Sequence, residues 1–208
     1  MVPNDTGLWE SLENRMPYLF LVAGVFSLVA AANYGVAELA DSISFNSWVG
    51  LTVLLSRVAA LLGVAGLSAR ILSRNAKVGK LSRAVVVLAL VFAGALLTTA
   101  VLENLGIKTP LQAVFGLGTI ALTLVAYVLF GATILRTDAH ARLVGVLLLG
   151  ATVVLLFGLF GKAAFPIGVV GTIAEFGLFV TYAAIGYRLL SDPAPEGSPE
   201  RTPETVAE

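Results

Sequence analysis

Apolar positions in this chain do not alternate with polar ones. They run on for more than five helical turns at a time, in six stretches at roughly Pro17–Glu38, Trp48–Ile71, Arg83–Leu102, Leu111–Leu135, Arg142–Gly161 and Pro166–Leu189. A helix that crosses about 30 Å of hydrocarbon needs about 20 such residues. Only helices and closed barrels satisfy their backbone groups there, and barrel strands would alternate with period two over about ten residues. The pattern therefore predicts an all-α, polytopic membrane protein, a bundle of six transmembrane helices. Pro17, Pro110 and Pro166 fall at or just before the expected helix starts, where a missing N–H is harmless. Tyr18, Trp48 and Tyr187 fall near expected interfaces, where amphipathic rings collect.

The spanning domain on this reading covers residues 17–190. Residues 1–16 form a leader with two open readings. Asn4 or Asp5 can cap a short interfacial helix that carries Leu8, Trp9, Leu12 and Met16 on one face, or the segment is a frayed leader with one interfacial tryptophan. The first apolar run is longer than the 7–15 residues of a signal-peptide core, and its flank is acidic, so it is expected to persist as a mature helix. Residues 191–208 are proline-rich and acidic and lack an apolar face, the composition of a disordered tail. No internal repeat of the kind found in many transporters is visible.

Lys and Arg distribute unevenly over alternate connections. Arg15, Arg70, Arg74, Lys77, Lys80, Arg83, Arg136, Arg142, Arg188 and Arg201 fall on the side of the termini, against Lys108 and Lys162 on the other. The positive-inside rule then predicts both termini in the cytoplasm and a multi-pass protein of the cell membrane. Composition narrows the function classes further. With 58% hydrophobic and 12% charged residues, and 13 basic groups balanced by 13 acidic ones, the chain has no basic surplus for nucleic acid. Cysteine is absent and His140 is the sole histidine, which removes thiolate chemistry, disulfides and bis-His haem.

A charge in hydrocarbon costs at least about 2.5–3.5 kcal/mol at a helix centre unless paired or hydrated. Two positions carry one. Arg57 lies nine residues into the second helix from Trp48, and Glu175 nine residues into the sixth from Pro166. Each is thereby about 13–14 Å below the same boundary. Equal depth and opposite sign predict a buried polar pair, Arg57 to Glu175, with the second and sixth helices as neighbours. Two roles stay open for it. It can fix helix packing with no ligand, or line a hydrated cavity that gates or binds something. Ser56, Thr52, Ala60 and Gly63 near Arg57, and Thr172, Gly171 and Gly168 near Glu175, suit close packing and a cavity alike.

Other polar groups give weaker signals. Asn33, Tyr34, Glu38, Asp41, Glu103 and Asn104 gather at the ends away from the termini, as solvated caps or as an outer polar vestibule built on Asn33, Glu38, Asp41 and Glu103. Thr119, Thr123 and Tyr127 place three hydroxyls on one helical stripe, either interhelical glue or a lining. Arg70, Arg74, Lys77 and Lys80 sit in the connection expected at 72–82, as an ordinary positive-inside loop or as contacts to anionic lipid. His140, beside Asp138 in a short loop, reads as a surface histidine.

Catalytic motifs do not surface. An intramembrane serine protease needs a nucleophile motif and a membrane-embedded histidine, a metalloprotease needs H-E-x-x-H, and a metal-dependent phosphotransferase needs clustered carboxylates. The expectation is no enzyme, no cofactor and no metal site. The segments Arg15-Met-Pro-Tyr-Leu-Phe-Leu-Val-Ala-Gly24, Leu129-Phe-Gly-Ala-Thr-Ile-Leu-Arg-Thr-Asp-Ala-His-Ala-Arg142, Leu143-Val-Gly-Val-Leu-Leu-Leu149 and Ala183-Ala-Ile-Gly-Tyr-Arg188 resemble uncharacterised six-helix integral membrane proteins of haloarchaea. That resemblance implies a prokaryotic cell membrane and supplies no catalytic residue. Two functional readings follow: a non-enzymatic structural or interacting membrane protein, with the lipid bilayer, a membrane-protein partner or a homo-oligomer as its contacts; or a small transporter, channel or ligand-sensing bundle that uses Arg57 and Glu175.

Overall fold

The computed structural model describes residues 6–39, 47–74, 76–104, 107, 110–137 and 140–191. Six helices make up the fold among the described residues: α1 Thr6–Leu39, α2 Ser47–Arg74, α3 Ala76–Asn104, α4 Gln112–Thr137, α5 Arg142–Phe160 and α6 Ile167–Ser191, with a 3-10 turn at Gly161–Ala163 before α6. All six are long and apolar enough to cross a membrane. Of the tail expected at 191–208, Ser191 instead closes α6, and residues 192–208, like the first five residues of the leader, lie outside the described residues.

Two helix starts differ from the sequence expectation. α1 begins at Thr6 and runs straight through Pro17, so 6–16 is neither a separate interfacial helix nor frayed. A proline inside a helix costs about 3 kcal/mol or more. Offsetting contacts hold the first turns in place. Trp9 and Leu12 pack on the buried core, and a Cβ at Gly66 would lie 2.6 Å from the Leu12 carbonyl and 2.7 Å from Met16 Cβ, so α1 and α2 touch there backbone to backbone. The Arg83 guanidinium stacks 4.3 Å from the Trp9 ring and donates through Nε to Ser68 Oγ at 3.0 Å. α3 likewise starts at Ala76. The connection expected at 72–82 is therefore helical on both sides of residue 75, where a Cβ at Gly79 would lie 2.6 Å from the Leu72 Cα.

The helices close into a ring. α1 packs along both α2 and α6, the chain then passes round through α3, α4 and α5 to α6, and α2 also touches α4 inside α3. Glycines set the tightest crossings: a Cβ at Gly131 would meet the Gly145 carbonyl at 3.0 Å and one at Gly145 the Gly131 carbonyl at 2.9 Å, which seats α4 on α5. Outward faces present large apolar side chains, including Val25, Val91, Leu117, Val153 and Phe176, each more than half exposed. Such a belt is a lipid-facing surface.

Packing differs between the two ends of the bundle. The continuous core, built around Phe20, Leu61, Leu67, Phe130, Ile134, Leu148, Tyr182 and Ile185, runs from the middle of each helix toward the end where α1 begins and α6 stops. That proximal end is filled. His140 belongs to it: only 6% exposed, with Nε2 3.3 Å from the Leu67 carbonyl, it is a buried ring closing the core and not the expected surface histidine. The Leu67 carbonyl of α2 meets one of the two ring nitrogens.

Candidate functional site

At mid-depth the side chains change character. Arg57 of α2 donates through Nη2 to Oε1 of Glu175 on α6, and the two side chains are 12% and 6% exposed. The helices themselves are not close neighbours. α1 lies between them, and the long arginine arm spans the gap. The expected partnership of charges is thus present without the helix adjacency inferred for it, because about six rotatable ångströms of arginine stem replace backbone contact.

Arg57 is held from its own side. Ser56 Oγ donates to the Ala23 carbonyl at 2.9 Å, lies 2.7 Å from Ser27 Oγ, and accepts from Arg57 Nη1 at 3.5 Å. Below the pair, the Tyr127 and Tyr182 hydroxyls meet at 2.7 Å with rings edge to face at 6.4 Å. Both tyrosines are fully buried, and the guanidinium is within electrostatic reach of both hydroxyls. Phe20 leans on Tyr182 at 6.3 Å. Together these rings form a floor.

Above the floor is a cavity of about 230 Å³ bordered by all six helices. Its polar lining comes from Tyr34, Arg57, Thr119, Thr123 and Glu175; Leu54, Ile120, Leu155 and Leu178 supply apolar wall. Every lining residue lies at mid-depth or in the half away from the chain termini, so the cavity occupies that half of the bundle. Glu175 Oε1 is taken by Arg57. Its other oxygen, Oε2, is buried with no hydrogen-bond partner among the described residues.

The small residues noted beside Glu175 serve α1. A Cβ at Gly171 would come within 2.6 Å of the Tyr34 ring, and one at Gly168 would collide with the Glu38 carboxylate. Thr172 Oγ1 reaches the Ala31 carbonyl at 3.5 Å. On α2, a Cβ at Gly63 would lie 3.0 Å from the Phe20 ring, and Thr52 Oγ1 donates to its own helix at Val49. Close packing and cavity thus coexist: the glycines let Tyr34 lie flat enough to become wall.

The remaining candidates sit as follows. Thr119 and Thr123 line the cavity and donate to the Phe115 and Thr119 carbonyls, each at 2.7 Å; Tyr127, third in the stripe, forms the floor. Glu38 sits against the first turn of α6 at Gly168, while Asn33 is half-buried on α1. Asp41 lies outside the described residues, as does the side chain of Glu103. Lys77 and Lys80 are exposed on the first turns of α3; the side chains of Arg70 and Arg74 lie outside the described residues. Sequence reasoning missed Tyr182 and Ser27. Tyr182 is seven residues after Glu175, two turns along the same face of α6, and that spacing was the available signal.

This architecture defines the class: a six-helix, multi-pass membrane protein with a polar site at mid-depth. Comparison with protein-family models, with curated proteins and with solved structures finds no match to this chain.

Proposed function

We propose that the chain is a non-enzymatic membrane protein that holds a small molecule in its one-ended cavity, as a ligand-sensing or transport bundle. The observation that carries this reading is the cavity beside the Arg57–Glu175 pair. A purely structural pair is best served by neighbours that satisfy every lone pair and proton, because unmet ones leave the desolvation cost of buried charges uncompensated. Here an opening of about 230 Å³ adjoins the pair. Its build, mostly apolar with a few convergent polar groups, is that of small-molecule sites.

The asymmetry of Lys and Arg between alternate connections supports placing the terminus-bearing end in the cytoplasm of a cell membrane. The cavity then faces outward, with the packed proximal core beneath it. A channel reading finds no support from that filled half.

The absence of cysteine makes the test direct. Val53→Cys and Ala174→Cys, both on the cavity wall, are labelled with a membrane-impermeant thiol reagent, with exposed Leu111→Cys as control. Labelling of both wall positions from the outer face is expected. Silence at both, while Leu111→Cys reacts, contradicts the proposal.

A further inference from the structure

Resting on the reading of the cavity as a ligand site, we infer that its ligand is a small uncharged molecule with an apolar body and a hydroxyl or amide head, bound by Glu175, Thr119, Thr123 and Arg57.

Charge balance comes first. Arg57 and Glu175 carry opposite charges, and among the described residues no other Lys, Arg, Asp, Glu or His borders the cavity. A cationic or anionic ligand would bring one uncompensated charge into a largely apolar enclosure at mid-membrane, and would compete with one half of the existing pair. A neutral ligand leaves the pair intact.

Hydrogen-bond stoichiometry then sets the head group. Thr119 and Thr123 give their hydroxyl protons to backbone carbonyls, so each can only accept from a ligand. Glu175 Oε2 is a carboxyl oxygen, buried and with no hydrogen-bond partner among the described residues, and a buried polar atom of that kind calls for a partner. On the other side, Arg57 has five N–H donors, directed in part at Glu175, Ser56 and Tyr182. The wall therefore offers surplus acceptors together with spare donors, which a hydroxyl or primary amide satisfies in both senses. A pure hydrocarbon satisfies neither.

Size limits the body. A 150 Å³ apolar cavity of another protein holds benzene, so about 230 Å³ admits a ring of that size plus a head group. Leu54, Ile120, Leu155 and Leu178 are the contacts for it.

The test uses the full chain carrying Val53→Cys in lipid nanodiscs and four probes of one shape at pH 7: benzyl alcohol, benzylammonium, benzoate and toluene. The readout is the rate of thiol labelling at residue 53, with Leu111→Cys reporting any general effect of the probes. Benzyl alcohol is expected to slow labelling about tenfold at ten times its half-protecting concentration, as mass action requires, with the other three at least tenfold weaker. Adding Thr123→Val is expected to raise the half-protecting concentration about two- to tenfold, the effect of one lost hydrogen bond. Stronger protection by benzylammonium or benzoate, equal protection by toluene, or no protection by any probe at a cysteine that does label, each overturns the neutral-ligand inference while leaving an accessible cavity. A cysteine at 53 that never labels, beside a reactive Leu111→Cys, overturns the cavity reading itself.

Discussion

Arg57 and Glu175 form an ion pair between two helices that α1 holds apart. Neither charge has another charged partner among the residues that border the cavity. Removing one leaves the other unpaired at mid-membrane, which in buried pairs costs about 3–5 kcal/mol, whereas replacing both by apolar groups is often neutral. Arg57→Leu and Glu175→Leu are each expected to lower thermal stability and yield sharply, and the double substitution to recover most of the loss. A double-mutant cycle in detergent measures it; additive losses would show that the two residues act independently.

The tyrosine floor follows the same logic at lower stakes. Tyr127 and Tyr182 share one hydroxyl–hydroxyl hydrogen bond at 2.7 Å, and the Tyr182 hydroxyl also meets Arg57. Tyr127→Phe or Tyr182→Phe is expected to cost about 1–3 kcal/mol by leaving one buried hydroxyl short of a partner, and the double Phe variant less than the sum of the two. Chemical denaturation of the three variants reads this coupling.

Glycine positions divide into two kinds. At Gly66 a Cβ would press on the Leu12 carbonyl at 2.6 Å, whereas at Gly94 nothing lies within 4 Å. Gly66→Ala is expected to destabilise by about 1–3 kcal/mol through a forced backbone shift, and Gly94→Ala to be neutral or stabilising by up to about 1 kcal/mol through helix propensity. The melting temperature should fall for Gly66→Ala and hold or rise for Gly94→Ala.

Among the contacts that hold the first turns of α1, Trp9 stacks with Arg83 at 4.3 Å. A cation–π contact of this kind contributes about 0.5–2 kcal/mol. Trp9→Ala is expected to speed amide exchange across residues 7–16 while leaving the spans beyond Pro17 unchanged. Uniform exchange throughout α1 in that variant would show that its first turns need no such latch.

The lesson about legibility is uneven. Run length alone revealed six helices, because no other structure satisfies its backbone in hydrocarbon. Depth arithmetic paired Arg57 with Glu175, since 1.5 Å per residue is a rigid ruler. Helix starts were less visible. The apolar pattern marks where lipid begins, and α1 and α3 continue past that boundary to Thr6 and Ala76, held by Trp9, Arg83 and Gly66. Burial of His140 and the Tyr127–Tyr182 contact depend on helices distant in sequence, which local periodicity does not report. The same holds for Gly171: small size was evident, but only the fold shows that the space belongs to Tyr34, which makes Gly171 a poor place for a reporter cysteine.

The account rests most on the cavity ending at the floor. Val53 and Ala60 lie seven residues apart on the same face of α2; the first borders the cavity and the second is fully buried in the bundle. Val53→Cys and Ala60→Cys should be compared with impermeant thiol reagents applied from each face in turn. Reaction at 53 from one face alone, with silence at 60 from both, is predicted. Reaction at 60, or at 53 from both faces, would contradict a one-ended cavity.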